Sequence, residues 1–372
     1  MERYYRTHAV VNTDIVKENF IKMKSLVPET TKTLAVIKAD AYGHGSVKVA
    51  DALKDEADFF GVATVDEAVE LRNAGIENRI LILGYASHSE YDILIKNNIT
   101  PVIYRYEDAK LLNDRAEVFG KKVKIHIAVD TGMGRIGFRN NREEIECALS
   151  ILEFPYIEIE GAFSHFACAD ETDKSFTKRQ VDLFEDFIDR INQRHKIEII
   201  HIANSAGIVD FDEYRYNMVR AGISMYGYLP SSEVSKDKIK INPALEWHAH
   251  VTNIKTLYKG DTVSYGATCV IDKDTDVATV SVGYADGYPR KLSNKGSVII
   301  NNHYAKVLGR VCMDQIMVDI TGIPDVTIEN DVILLGKSND CSITADDIAE
   351  ECGTISYEIL CDIGKRVPRV YA

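Results

Sequence analysis

Lys38 stands directly behind the apolar run Ala35-Val36-Ile37 and opens the string Lys38-Ala39-Asp40-Ala41-Tyr42-Gly43-His44-Gly45. A lysine at the end of a buried strand is partly desolvated. Burial lowers an ammonium pKa, and the neutral amine can attack a carbonyl to form an imine. A solvated lysine capping the strand is the competing reading. Further along, Asp130-Thr131-Gly132-Met133-Gly134-Arg135-Ile136-Gly137-Phe138 places Gly132, Gly134 and Gly137 in GxGxxG spacing, the pattern of a dinucleotide-binding turn. Its late position, the charged Arg135 inside it and the lack of a clear helix behind it argue against that use. Ser164-His165, Asn204-Ser205 and Arg220-Ala221-Gly222-Ile223 each follow another apolar run. Lys38, Arg135, His165, Ser205 and Arg220 thus form a polar crown on successive strand ends. Gly222 and Ile223 can offer backbone N–H groups to a phosphate. The GxxxxGK[ST] pattern is absent, so that phosphate belongs to a cofactor rather than to a hydrolysed nucleotide.

The elements that must carry these residues are short β-branched runs at 33–37, 59–63, 79–83, 99–103, 123–129, 157–163, 197–202 and 217–219. Amphipathic stretches lie between them at 47–54, 66–73, 107–119, 143–152 and 177–193. In the last, Val181, Phe184, Phe187, Ile188 and Ile191 recur at three- and four-residue spacing. Strand–helix alternation predicts a parallel sheet, because parallel neighbours need a crossover. Eight such units predict a (β/α)8 TIM barrel, with an open doubly wound sheet as the alternative, and the crown lies at the carboxyl ends where a barrel gathers its site. Beyond a polar linker at 230–238 the texture becomes all strand, at 247–254, 262–264, 277–282, 297–300, 305–308, 316–320 and 331–335, with turn signals between. The domains expected are a barrel over 1–240 and a mainly β domain over 241–372, with residues 1–10 open to packing against the second and a late helix at 344–351 capped by Thr344.

Composition narrows the function. The 372 residues carry 44 Lys and Arg against 57 Asp and Glu, a net charge of −13, and such a chain repels nucleic-acid backbones. No apolar run approaches the ~20 residues of a membrane span. Seven cysteines without a CxxC pair suit reduced thiols, hence a cytoplasmic protein rather than a disulfide framework. His248 and His250, at i and i+2, share a strand face, but with no third ligand evident the expectation is no metal. Cys312 beside Met313 reads as a buried small hydrophobe rather than a nucleophile.

AVIKADAYGHG at 35–45 resembles the pyridoxal-phosphate attachment motif of bacterial alanine racemases, with Lys38 as the Schiff-base lysine. The resemblance runs through DTGMGRIGF at 130–138, HIANSA at 201–206, RAGISMYG at 220–227, SYGAT at 264–268, GYADGYPR at 283–290, GRVCMDQ at 309–315 and SYE at 356–358. It implies a (β/α)8 barrel followed by a β domain, pyridoxal 5′-phosphate as cofactor, an amino-acid substrate and a homodimer with shared active sites. Lys38 would act as one acid/base and Tyr265, from the partner subunit, as the other. Arg220 would face the pyridine nitrogen, with His165 tying Arg220 and Tyr265 into one network. Tyr42, Ser205, Gly222, Ile223 and Tyr357 would hold the phosphate. Arg135, the Met313 backbone and Asp314 would bind substrate, and Tyr284, Arg290 and Arg310 would line the entrance.

Those roles are chemically coherent. Inverting a centre takes proton removal on one face and return on the other. A free tyrosine (pKa about 10) needs nearby cations to serve near neutrality. Arginine opposite the pyridine nitrogen does not readily give up a proton. Many relatives carry a carbamylated lysine where this chain has Ala128, so Arg135 needs other support. The activity implied is interconversion of L- and D-alanine, ahead of serine because Tyr357 leaves little room beside the substrate side chain. The alternatives are a serine or broad-specificity racemase, a decarboxylase on the same barrel, which would need an acid rather than Arg220, and a non-catalytic pyridoxal-phosphate-binding protein, which the β domain with Tyr265 disfavours.

Overall fold

Eight parallel strands carry the first half of the chain: β1 (Lys32–Val36), β2 (Phe59–Val62), β3 (Arg79–Ile82), β4 (Val102–Ile103), β5 (Val123–Asp130), β6 (Ile157–Phe163), β7 (Ile199–His201) and β8 (Met218–Ala221). They appear in a computed structural model that describes residues 5–372. Hydrogen bonding runs β8-β1-β2-β3 in one arc and β4-β5-β6-β7 in the other. Thr100 joins the arcs, donating to Ile80 O and accepting from Ile82 N, both at 2.9 Å; on the other side Arg220 N donates to Ala203 O at 3.0 Å. The (β/α)8 barrel expected from the alternation is the architecture found. The strand expected over 99–103 shortens to Val102–Ile103 because Pro101 has no N–H to place in the ladder; its carbonyl still accepts from His126 N.

The intervening helices bury the faces their periodicity assigns. In Ser175–Asn192, Val181, Phe184, Phe187, Ile188 and Ile191 are all buried, each worth about 1.5–3 kcal/mol of removal from water. Val65–Asn73 starts where the Thr64 side chain accepts from Glu67 N, and Tyr106–Phe119 stops at Gly120, whose φ of 59° ends the helix in the left-handed region. Leu34, Phe59, Phe60, Ile80, Ile82, Ile125 and Ile127 are nearly inaccessible, so the strands are buried on both faces, towards the barrel interior and towards the helices. Barrel strands and helices form one compact unit, residues 16–41 and 46–242.

The second unit takes the N-terminal segment through Ile15, Tyr42–Gly45 and Pro243–Ala372. Its strands are β9 (Leu245–Leu257), β10 (Thr275–Val280), β11 (Ser297–Ile300), β12 (His303–Leu308), β13 (Ile316–Asp319) and β14 (Asp331–Ser338). They pair antiparallel in the order β9-β10-β13-β12-β11-β14, and β14 returns to β9 with Trp247 opposite Leu335, so the sheet closes on itself. Trp247 is buried against Tyr288, and its indole N–H donates to Thr7 Oγ1 at 2.8 Å. The N-terminal strand Thr7–Val11 adds to β9 with Thr7 opposite Ala249, and Arg369–Tyr371 lies parallel on its far side. The late helix is Ala345–Cys352, with Thr344 and Asp347 in a capping box.

Candidate active site

Behind β1 the backbone does something the residue types do not announce. Ala39, Asp40, Ala41 and Tyr42 all take φ of 52–53°, a left-handed turn of four residues with no glycine among them. Left-handed backbone costs an L-residue roughly 1–2 kcal/mol, so the turn must be held from outside. Glu67 does much of this: one carboxylate oxygen accepts from Ala39 N and the other from Ala63 N, each at 2.7 Å. Asp40 accepts from Ser46 N at 2.8 Å, and Ala41 N donates back to Ile37 O. The turn fixes where Lys38 leaves the strand.

Arg220, at the end of β8, is 3% exposed. One guanidinium nitrogen donates to Ser164 O and Ile202 O at 2.9 Å and to His165 Nδ1 at 3.1 Å; the other donates to His201 Nδ1 at 2.9 Å. Among the described residues its hydrogen-bond partners are thus two carbonyls and two histidines. Burial and then Arg135 push its pKa down, yet a guanidinium with four acceptors keeps its proton. His165 is held well below its ordinary value by burial, then by Arg220, Arg135 and Lys38. The site therefore brings Lys38, Arg135, His165 and Arg220 within electrostatic reach of one another. Because Nδ1 of His165 receives a guanidinium proton, this neutral imidazole presents Nε2–H, and of the expected Arg220–His165 pair only Arg220 carries charge. The expected phosphate end also gathers: Gly222 N donates to Ser205 Oγ at 2.9 Å, with Ile223 next in the chain and all three buried. Ala128, on β5, is buried and lines a cleft with Met133, Arg135, Ser164 and His165.

The β unit assembles the rest. Ser264, Tyr265, Cys312, Met313, Asp314 and Gln315 line one pocket. Tyr265 is 69% exposed and Met313 52%. Ser264 has φ of 65°, an unusual value for serine; its hydroxyl donates to Arg310 O at 2.6 Å. Only glycine fits at position 309, where a Cβ would lie 2.6 Å from Val263 O on a backbone with φ of 74°. Cys312 is half-buried rather than buried, 3.4 Å from Ser264 Oγ, because the loop turns its thiol into this pocket. Tyr284 N and Ala285 N donate to Cys312 O and Met313 O at 3.0 Å, fixing the Met313 backbone, while Arg366 grips Asp314 at 2.8 Å. Arg310 packs against Gly266, next to Tyr265. Arg290 starts the turn Arg290–Leu292 and does not line this pocket. The Tyr42 and Tyr357 rings meet at a tilt of 54° with centroids 5.9 Å apart, and burial, with Cys361 adding, raises the Tyr42 pKa so that it remains a proton donor.

Glu67 and His201 escape prediction as positioning residues, since the contacts that define them are remote in sequence. His248 and His250 stack on His8, and His248 is paired with Asp331 at 2.9 Å.

An eight-stranded parallel barrel with a cationic, histidine-braced mouth, joined in one chain to a closed β sheet, defines a class of two-unit barrel enzyme. The comparisons narrow it. Residues 11–230 match the model of the alanine racemase N-terminal domain and residues 244–371 that of the C-terminal domain. Alanine racemase 1 of Clostridium acetobutylicum is 46% identical over 92% of this chain and 89% of its own; alanine racemase of Clostridium novyi is 45% identical over 98% and 94%. The solved alanine racemase of Clostridium difficile 630 superposes with a TM-score of 0.96 at 40% identity, covering 100% of this chain and 97% of that one. The chain belongs to the alanine racemase family.

Proposed function

We propose that the chain interconverts L-alanine and D-alanine with bound pyridoxal 5′-phosphate, as a homodimer in the cytoplasm. The observation that carries this is the convergence of Lys38, Arg135 and Arg220 on a neutral His165. Two guanidiniums and an amine around one uncharged ring make a donor set suited to an anionic cofactor and a carboxylate substrate, with Arg135 and His165 lining the same cleft. Ser205 and Gly222 stand beside them, and the buried Ser224 hydroxyl has no hydrogen-bond partner among the described residues. Pyridoxal phosphate supplies an electron sink for the pair left at the substrate α-carbon.

The chain's own groups do the remainder. Lys38 Nζ anchors the cofactor and carries the proton on one face; Tyr265 of the partner subunit carries it on the other. Arg220 faces the pyridine nitrogen and, keeping its own proton, leaves that nitrogen without one. Tyr42, Ser205, Gly222, Ile223 and Tyr357 hold the phosphate. Arg135 and the Met313 backbone, with Asp314 beside it, bind the carboxylate, and Tyr284, Arg290 and Arg310 line the entrance. The histidine and carbonyl partners of Arg220 disfavour decarboxylation, which needs an acid at that place. The test is to incubate the protein and cofactor with L-alanine, L-serine and other single L-amino acids, and to measure D-product and CO2. D-alanine should form fastest. Equal or greater kcat/KM for L-serine overturns the alanine preference, and CO2 release without D-product overturns the racemase reading.

A further inference from the structure

Inside the barrel, below Arg220, lies a file of polar side chains that the proposed reaction does not use. His126 on β5 and His201 at the end of β7 are inaccessible to solvent, and Glu160 on β6 is 2% exposed. His126 Nδ1 is 2.9 Å from His201 Nε2, and His201 Nδ1 is 2.9 Å from the Arg220 guanidinium. Glu160 Oε2 lies 3.6 Å from His126 Nε2, an electrostatic contact beyond hydrogen-bond reach, and that Nε2 is buried with no hydrogen-bond partner among the described residues. Arg79 grips that same Oε2, and Lys124 holds Glu160 Oε1 at 2.8 Å. These two stand at the amino ends of β3 and β5, so the file runs from the floor of the barrel to its mouth.

The direction of every proton in it follows from one fact: a guanidinium only donates. His201 Nδ1 must therefore accept, which puts the His201 proton on Nε2. That proton goes to His126 Nδ1, which puts the His126 proton on Nε2, facing the Glu160 carboxylate. At the other end His165 Nδ1 accepts from Arg220 in the same way, and its proton is on the Nε2 at the mouth. The fold reserves space for this arrangement. Gly161 lies beside the His126 ring, where a Cβ would fall 2.5 Å from its Cε1, and Phe163 stacks flat on His201 at 5.0 Å. A buried polar pair that did nothing would be replaceable by apolar residues of the same size.

We propose that His126 and His201 are positioning residues: a one-way hydrogen-bond relay, closed below by the electrostatic contact of His126 with Glu160, that holds Arg220 in a single rotamer and so fixes the Nε2–H tautomer of His165. This rests on the reading of Arg220 and His165 as site residues, and its test separates the two. Magic-angle-spinning 15N spectra of the full-length protein, labelled at histidine and assigned by single substitutions, should show His126, His165 and His201 all neutral with the proton on Nε2. A doubly protonated or Nδ1–H form of His126 or His201 overturns the relay, whatever the activity. His126→Asn keeps an acceptor where Nδ1 stood and should retain kcat. His126→Phe keeps a ring but orphans the His201 donor, and should lower kcat about tenfold with KM for alanine little changed. Equal kcat in the two variants, at equal folded fraction, also overturns it. If His126→Phe does not fold, the spectra of the unsubstituted protein decide. If no protein in the series forms D-alanine, the racemase reading fails while the spectra still judge the relay.

Discussion

The barrel mouth and the pocket around Tyr265 hold their functional groups in opposite ways. Arg220 is 3% exposed, with every hydrogen-bond partner specified by the strands around it; Tyr265 is 69% exposed, on a loop pinned through Ser264. The first is preorganised in the manner of an electrostatic site, with its dipoles fixed before anything binds. The second has its backbone fixed and its reactive atom in water. A phenol in water is a weak base near neutrality, so the exposed half needs cover, and in the proposed homodimer the partner subunit supplies it. The contrast teaches that burial has been spent on the group that must not move or titrate, and exposure left on the group that must meet another surface.

The sharpest way to break that contrast is at the two proposed proton carriers. Lys38→Ala removes both the proposed anchor and the proposed acid/base from the ordered half, and kcat in both directions should fall by about 10³–10⁴-fold; full turnover without added amine would discard the assignment. Tyr265→Phe removes only a hydroxyl from the exposed half. Its kcat should fall by about 10²–10³-fold with the yellow colour and borohydride reduction at Lys38 intact.

Smaller effects sharpen the comparison. Glu67→Ala orphans two backbone N–H groups at the left-handed turn and should cost about 1–3 kcal/mol in denaturant unfolding, with Glu67→Gln losing less. In the β unit, burial opposes charge on His248, but Asp331 and Glu246 prevail and its pKa rises from 6.5 to about 9. The folded value exceeds the unfolded one, so the stabilisation is complete below about pH 6.5 and is lost as pH rises through about 9. With both carboxylates half exposed, about 1–2 kcal/mol is expected. Asp331→Asn should lower Tm near pH 6 and leave it almost unchanged near pH 10; an equal loss at both would remove this account. Ala128 has no amine, so activity should not change when dissolved CO2 is removed. A loss restored by bicarbonate would point to carbamylation of another lysine.

Much of this was legible in the sequence where the signal was local. The barrel strands sit at the apolar runs, and the helix face of Val181, Phe184 and Phe187 is buried as its spacing requires. The position of Lys38 behind Ala35-Val36-Ile37 was legible, and the structure brings it within electrostatic reach of His165; its proposed role comes from the resemblance of 35–45 to the attachment motif. What escaped was non-local. Lys38-Ala39-Asp40-Ala41-Tyr42 contains no glycine, so nothing in it signals left-handed backbone; the turn is held because Glu67 accepts from Ala39 N and Asp40, within the turn, accepts from Ser46 N beyond it. His126 and His201 read as ordinary strand residues, since their meaning lies in a contact across 75 positions. The N-terminal strand Thr7–Val11 shows no hairpin signal because its partner β9 lies some 240 residues away.

In the proposed homodimer the ordered and the exposed half of each site come from different chains. Lys38→Ala and Tyr265→Ala proteins, each nearly inactive alone and carrying different tags, can be mixed and allowed to exchange subunits. In a heterodimer with shared sites, one site collects both defects and the other neither, so alanine racemisation should return. If each chain supplied both of its own groups, every site would carry one defect. Heterodimers confirmed by both tags yet still inactive would contradict the shared site.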